Sequence, residues 1–345
     1  MRRSLCALVA GLLLVLPPGG CRQGPPGEVL HLSGQTMGTT WSATILPAPA
    51  GTEAAALQQL LQGRLDQLNG LMSTYDPQSE LSRFNDRLSS DWFPLAEETA
   101  RVVALALEIS TLTGGAFDVT VGPLVELWGF GAAPRGAGLP AEEQIREALA
   151  GVGYSKVRLR RQPPAVSKQA AQLRIDLSAI AKGYAVDALA ELLEQQGIRN
   201  YLVEIGGEMK VAGRRGDGFP WRIAIEAPLE GRREVAAVFP LTGTALASSG
   251  NYRNFYVEDG QHYGHTLDPV SGRPVRHRLA SVTVLDRDCA RADALATALM
   301  VMGVDEGRRF CEEHHVAAYF QVHEQAGLTA YPSPAWQQFL EAIRP

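Results

Sequence analysis

Asp293 and Thr297 stand four residues apart in Arg291–Met302 (RADALATALMVM), whose apolar spacing predicts a helix. Residues at that separation share one helix face, here near its start. A carboxylate beside a hydroxyl is a hard, oxygen-rich pair of the kind magnesium prefers. The same pair also suits a structural role, with Asp293 complementing the helix dipole and Thr297 bonding back to the carbonyl four residues earlier. Either chemistry fits the spacing.

A second helix start carries two residues that are awkward on structural grounds alone. In Arg174–Gly197 (RIDLSAIAKGYAVDALAELLEQQG) the alternation of Arg174–Leu177 predicts a short strand. Ser178 is placed to cap the helix that follows, and Gly197 to stop it. Ile180, Tyr184, Ala188, Leu189, Leu192 and Leu193 give that helix one apolar face. Lys182 falls in its first turn, where the dipole disfavours a cation by a few tenths to ~1 kcal/mol. Gly183 inside the helix costs up to ~1 kcal/mol relative to alanine. Both would suit an anion docked on the free N–H groups of the helix start. Alternatively Lys182 is solvated and Gly183 lets another backbone come near.

His265, in Gly264–Pro269 (GHTLDP), sits at a strand end just before a tight turn. Such a position presents an imidazole to a cleft for acid–base work, or simply satisfies a structural hydrogen bond. His314 and His315 lie at an ordinary helix end. The phosphate loop G-x-x-x-x-G-K-[ST], a G-x-G-x-x-G between strand and helix, and the G-x-S-x-G elbow are all missing. Ser178, Ser248 and Ser249 have no evident partners for a nucleophile triad.

The elements that must position these residues follow from periodicity. His31–Leu46 reads as a strand pair interrupted by Thr36-Met37-Gly38-Thr39, and Glu53–Met72 as an amphipathic helix. Ser79–Asn85 is a helical turn, Thr99–Thr113 a helix, and Ala141–Gly151 another. Tyr154–Leu159 and Leu173–Leu177 are strands flanking a hairpin at Gln162–Gln172. Strands are also predicted at Tyr201–Ile205, Trp221–Glu226, Glu234–Leu241, Ala245–Ser249, Asn254–Val257, His262–Leu267, Ala280–Leu285 and Val316–Val322. About four long helices against many short, mostly antiparallel strands make an α+β class, without a regular βαβ alternation.

With 345 residues, 46% of them hydrophobic and 20% charged, the chain can bury a large core. Its formal net charge of −5 argues against a nucleic-acid binder, and no basic run supplies a local exception. Residues 1–20 read as an export signal: Arg2-Arg3, then an apolar Leu5–Leu16 too short to span a bilayer with ease. Gly20-Cys21 resembles a bacterial lipoprotein cleavage site, which would leave Cys21 lipidated, with ordinary signal cleavage the alternative. Residues 21–30 read as a Pro/Gly-rich tether and 31–345 as a single domain, expected on the periplasmic side of the inner membrane. Cys289 and Cys311 remain, to pair in an oxidising compartment or to sit as small buried hydrophobes.

In combination these stretches resemble the ApbE family of FAD:protein FMN transferases over nearly the whole exported part. The residues that carry the resemblance are Thr36–Thr39, Met72–Asn85 (MSTYDPQSELSRFN), Gly114–Gly131 (GGAFDVTVGPLVELWGFG), Asp176–Asp187 (DLSAIAKGYAVD) and Glu204–Glu208 (EIGGE). Ser248–Asn254 (SSGNYRN), Gly264–Val275 (GHTLDPVSGRPV) and Ala292–Leu299 (ADALATAL) complete the set. Ser248 stands where the family often has threonine, and Thr266-Leu267 where Ile-Ile is frequent.

The resemblance implies an ApbE-like fold that takes FAD as substrate with Mg2+ as cofactor. It places Met37, Tyr75, Ala116, Phe117, Asp118, Asp176, Lys182 and Leu267 along the FAD site. It gives the metal to Asp293, Thr297 and the backbone carbonyl of Ala179. His265 is the candidate base for an acceptor hydroxyl. The implied acceptor is a Thr or Ser in a motif like Asp-Gly-x-Thr-Gly-Ala-Thr, on an exported flavoprotein subunit of a membrane electron-transfer complex. The alternatives are a magnesium-dependent FAD pyrophosphatase, giving FMN and AMP, and a non-catalytic flavin-binding lipoprotein.

Overall fold

Eight strands form one antiparallel sheet whose spatial order repeats their order in the chain: Leu30–Thr36, Thr39–Ile45, Tyr201–Ile205, Glu208–Ala212, Thr244–Gly250, Leu279–Asp286, Ala317–Glu324 and Gly327–Pro332. This computed structural model describes residues 29–47, 51–132, 135–136, 138–229, 231–325 and 327–343. The export signal, Cys21 and most of the tether lie outside the described residues; Leu30 already belongs to the first strand. No helix among the described residues is long and apolar enough to cross a membrane.

The helices are α1 (Ala54–Met72), α2 (Glu80–Asn85), α3 (Glu97–Leu112), α4 (Gly122–Leu127), α5 (Glu142–Ala150), α6 (Ala181–Gln195), α7 (Cys289–His314) and α8 (Pro334–Ile343). One sheet face packs on α1, α6 and α7 through residues such as Trp41, Leu61, Leu189, Val282 and Leu295. The other carries Val211, Leu246 and Leu285, and is covered by the Trp221–Glu226/Val235–Leu241 hairpin and by Trp336 of α8. A strand covered on both faces becomes apolar almost throughout. Leu279–Asp286 (LASVTVLD) is buried along nearly its whole length for that reason.

Two insertions into the sheet carry the chemistry. The first, between Ile45 and Tyr201, contains α1 to α6. The second, between Gly250 and Leu279, holds the hairpin Phe255–Glu258/Gln261–Gly264 and the short pair Leu267-Asp268/Arg273-Pro274.

Several sequence expectations give way to long-range contacts. Leu173–Leu177 is not a strand. Its hydrogen bonds go elsewhere: the Ile175 N–H donates to Asn85 Oδ1 at 2.7 Å and the Asp176 N–H to the Val119 carbonyl at 2.7 Å. The neighbouring hairpin pairs Val157–Arg161 with Pro164–Lys168, earlier than expected. Ser178 does not cap α6: its N–H donates to Asp176 Oδ1 at 2.8 Å, and Ile180 occupies the cap without a side-chain bond. Helix α7 runs well past Met302, with a break at Gly303, whose φ is 75°. Cys289 and Cys311 are both buried and unpaired.

Candidate active site

Both insertions and the sheet wall a cavity of about 960 Å³, at the upper end of the few hundred to ~1,000 Å³ usual for small-molecule sites. Met37, Tyr75, Ala116, Phe117, Asp118, Asp176, Ala179, Lys182, His265, Leu267, Asp293 and Thr297 all line it. They come from separate stretches of chain, so their meeting is a product of the fold.

The starts of α6 and α7 form one wall, in which Asp293 is 3% exposed. A Cβ on Gly183 would stand 2.4 Å from the Cys289 carbonyl oxygen, so only glycine lets the two helices come this close. The Gly183 N–H donates to Asp293 Oδ2 at 3.0 Å, and the Ala290 N–H to Asp187 Oδ2 at 3.0 Å. Each helix thus supplies a carboxylate to the other's unsatisfied first-turn N–H groups. Of the two sequence readings of Gly183, close approach of another backbone is the one observed. Thr297 Oγ1 lies 3.2 Å from Ser249 Oγ.

Lys182 pairs with Glu208 Oε1 at 2.6 Å. Burial alone would lower the lysine's pKa, but the carboxylates of Glu208 and Asp293 outweigh it and hold the ammonium charged. Burial pushes the Glu208 carboxyl up; the attraction of Lys182 opposes that, and the charge of Asp293 adds to it. Asp293 is raised by burial too, against the pull of Lys182 and the Gly183 N–H. Glu208 Oε2 is buried without a hydrogen-bond partner. The cluster therefore has polar capacity that the protein itself does not satisfy.

Among the described residues no group of three His, Cys, Asp or Glu side chains converges as a metal cage. The donors to which the resemblance gives the metal are one carboxylate (Asp293), one hydroxyl (Thr297) and the Ala179 carbonyl, all from residues that line the cavity, as does Glu208 with its unsatisfied Oε2. So sparse a set fits a small hard cation that keeps waters and shares its coordination with substrate phosphates.

His265 lines the same cavity from the second insertion, near enough to Lys182 to feel its charge. It is exposed to the cleft on one side and crowded by protein on the others, with Phe130 edge-on at 6.3 Å between ring centroids. Nδ1 lies 3.2 Å from the Asn254 carbonyl. A carbonyl only accepts, so the proton sits on Nδ1 and the Nε2 lone pair is left free. Burial, together with nearby Lys182, pulls the imidazole below its usual pKa, against the Asn254 carbonyl. The shift favours the neutral ring.

The remaining walls follow local rules. Met37 (φ 47°) and Gly38 (φ 71°) both take the left-handed conformation in the two-residue turn joining the first strands. Such a turn matches the twist of the hairpin, and at a non-glycine residue it marks a constrained position. Tyr75 is 64% exposed, with its hydroxyl 3.5 Å from the Phe130 carbonyl. Asp118 lines the cavity, but its carboxylate accepts from the Thr120 N–H and hydroxyl and from the Tyr154 N–H. Its side chain is committed to holding the wall.

Glu208 and Asn254 had no role assigned from sequence. Asn254 was within reach of it, since the hairpin that pairs Phe255 with Gly264 puts Asn254 opposite His265. Glu208 offered no such signal; its partner lies across the fold.

The profile of the ApbE family matches residues 37–320. The FAD:protein FMN transferase of Vibrio cholerae is 43% identical over 342 residues, covering 99% of each chain. That of Escherichia coli K12 is 39% identical over 342 residues, covering 97% of this chain and 96% of the relative. Among solved structures, the flavin transferase ApbE from Vibrio cholerae superposes with a TM-score of 0.84 at 42% identity, covering 91% of this chain and 99% of that one. The apo flavinyl transferase ApbE of Pseudomonas stutzeri gives 0.84 at 38% identity, covering 91% and 98%.

Proposed function

The chain belongs to the ApbE family and is an enzyme of the FAD:protein FMN transferase type; from that premise we propose that it moves FMN from FAD to a Thr or Ser hydroxyl of an exported acceptor protein, with Mg2+ bound and AMP released. The observation that supports this most is the lining of the cavity, which Lys182, Ala179, Asp293 and Thr297 share with His265, whose imidazole pKa is lowered.

The Asp293 carboxylate, the Thr297 hydroxyl and the Ala179 carbonyl would hold the magnesium. When bound, the ion offsets charge on the FAD diphosphate and on the leaving AMP. Lys182, kept charged by Glu208 and Asp293, faces the same diphosphate and neutralises part of its charge from a position fixed before substrate arrives. Met37, Tyr75, Ala116, Phe117 and Leu267 supply apolar and aromatic surface for the rest of the dinucleotide. Nε2 of His265 takes the proton of the acceptor hydroxyl as its oxygen bonds to the FMN-side phosphorus. The bond from that phosphorus to the bridging oxygen breaks, and AMP carries the electron pair away.

The acceptor is read as a flavoprotein subunit of a membrane electron-transfer complex. The enzyme itself would work on the periplasmic side of the inner membrane, tethered through lipidated Cys21.

The deciding experiment incubates the protein with FAD, magnesium and a peptide carrying Asp-Gly-x-Thr-Gly-Ala-Thr, then weighs the peptide. A gain of one FMN is expected. Free FMN with an unmodified peptide would mean hydrolysis, and intact FAD would leave only binding.

A further inference from the structure

We propose that Asn85 and Lys168 are positioning residues for the transfer: they fix the irregular segment Leu173–Ile180, and with it Asp176 and the Ala179 carbonyl, against the cavity. This rests on the function proposed above, because the segment matters there only if Ala179 helps hold the metal.

Leu173–Leu177 has no strand or helix partner, so its backbone groups need other acceptors and donors. Asn85 supplies both kinds to one residue. Its Oδ1 accepts from the Ile175 N–H at 2.7 Å, and its Nδ2 donates to the Ile175 carbonyl at 2.8 Å. Lys168 completes the clamp, its Nζ donating to the Leu173 carbonyl at 2.9 Å and to the Asn85 carbonyl at 3.0 Å. Asn85 is 4% exposed and Lys168 1%. A lysine so deeply placed is rare, since burying an ammonium is costly without partners. Burial lowers its pKa to about 8, and the Phe84 ring lies 5.2 Å from Nζ.

The clamp reaches a second wall through α2, on which Asn85 sits. Ser79, its N-cap, and Ser82 both donate to the Ser73 carbonyl, and Ser73 Oγ accepts from the Tyr75 and Asp76 N–H groups. One short helix thereby ties the Tyr75 loop to the Asp176–Ala179 segment.

The test compares wild type with Lys168→Met and Asn85→Ala. FAD binding is followed by flavin fluorescence across a magnesium titration, beside melting curves and the KM for the acceptor peptide. The magnesium needed for half-maximal FAD binding should rise about 10- to 100-fold, as for other partners that orient metal ligands. Saturating magnesium should restore turnover, and the peptide KM should stay within about twofold, since the His265 ring bonds to Asn254 and packs on Phe130, not on Asn85 or Lys168. Variants that melt earlier yet keep the wild-type magnesium requirement would overturn the proposal. If Asn85→Ala does not fold, Lys168→Met decides alone, because it removes the ammonium while keeping the apolar stem. Wild type that binds FAD without regard to magnesium would sink the metal reading, and this one with it, and that control separates the two failures.

Discussion

The two sides of the cavity are built on opposite plans. The wall at α6 and α7 is buried and dense in charge, and its polar groups are fixed by each other: Gly183 to Asp293, Ala290 to Asp187, Lys182 to Glu208. The side around the Phe255–Glu258/Gln261–Gly264 hairpin is aromatic, with Trp128 and Tyr263 buried. Trp128, Tyr263, Tyr256 and Phe130 stack in a row, and His265 meets the solvent at its end. On the function proposed above, the difference matches the two halves of a group transfer. A diphosphate needs charges that do not have to reorganise, whereas a protein hydroxyl must be able to reach its base from outside.

The sharpest way to break this division is Asp293→Asn, which keeps the volume and an acceptor for the Gly183 N–H but removes the charge. Metal-dependent turnover should fall about 10³-fold with the fold intact; near-normal turnover would remove Asp293 from the metal site. His265→Ala should slow transfer by about 10²-fold while FAD affinity, measured by fluorescence, stays put. A comparable loss of affinity would mean that the two sides are not separate.

Glu208→Gln probes the buried side more gently. Losing the carboxylate leaves the Lys182 ammonium half-buried without its partner, and a drop of several degrees in Tm is expected, readable by calorimetry. An unchanged Tm would show that the pair contributes nothing to folding. The smallest effect lies in the pH profile of transfer. Because the His265 pKa is lowered, deprotonation of the ring is complete earlier than for an ordinary imidazole, so the rate should be level above pH 7 and decline on acidification through that lowered pKa. A rate still climbing between pH 7 and 8 would assign the limb to another group.

The hairpin around Met37-Gly38, α1, α3 and the strand at Tyr201 were legible in the sequence because each repeats with period 2 or 3.6 over its own length. Asp293 and Thr297 were legible as a pair for the same reason: helical spacing puts them on one face. Asn85 and Glu208 were not, since each acts on a backbone or charge far along the chain, and Lys168 was not, since one of its two acceptors lies 5 residues away and the other 83. Asn85 and Ile175 are 90 residues apart, and Lys182 and Glu208 meet only because α6 returns to the sheet.

The sequence by itself determined most of the kinds of element, the order of the motifs and the family they spell. Only the tertiary structure decided that Leu173–Ile180 runs as an irregular clamped segment, that Lys182 stands charged against Glu208, and that His265 keeps its proton on Nδ1. The physical reason is the range of the interactions. Apolar periodicity is set by the geometry of a single element, while a hydrogen bond from a side chain to a distant backbone leaves no period behind.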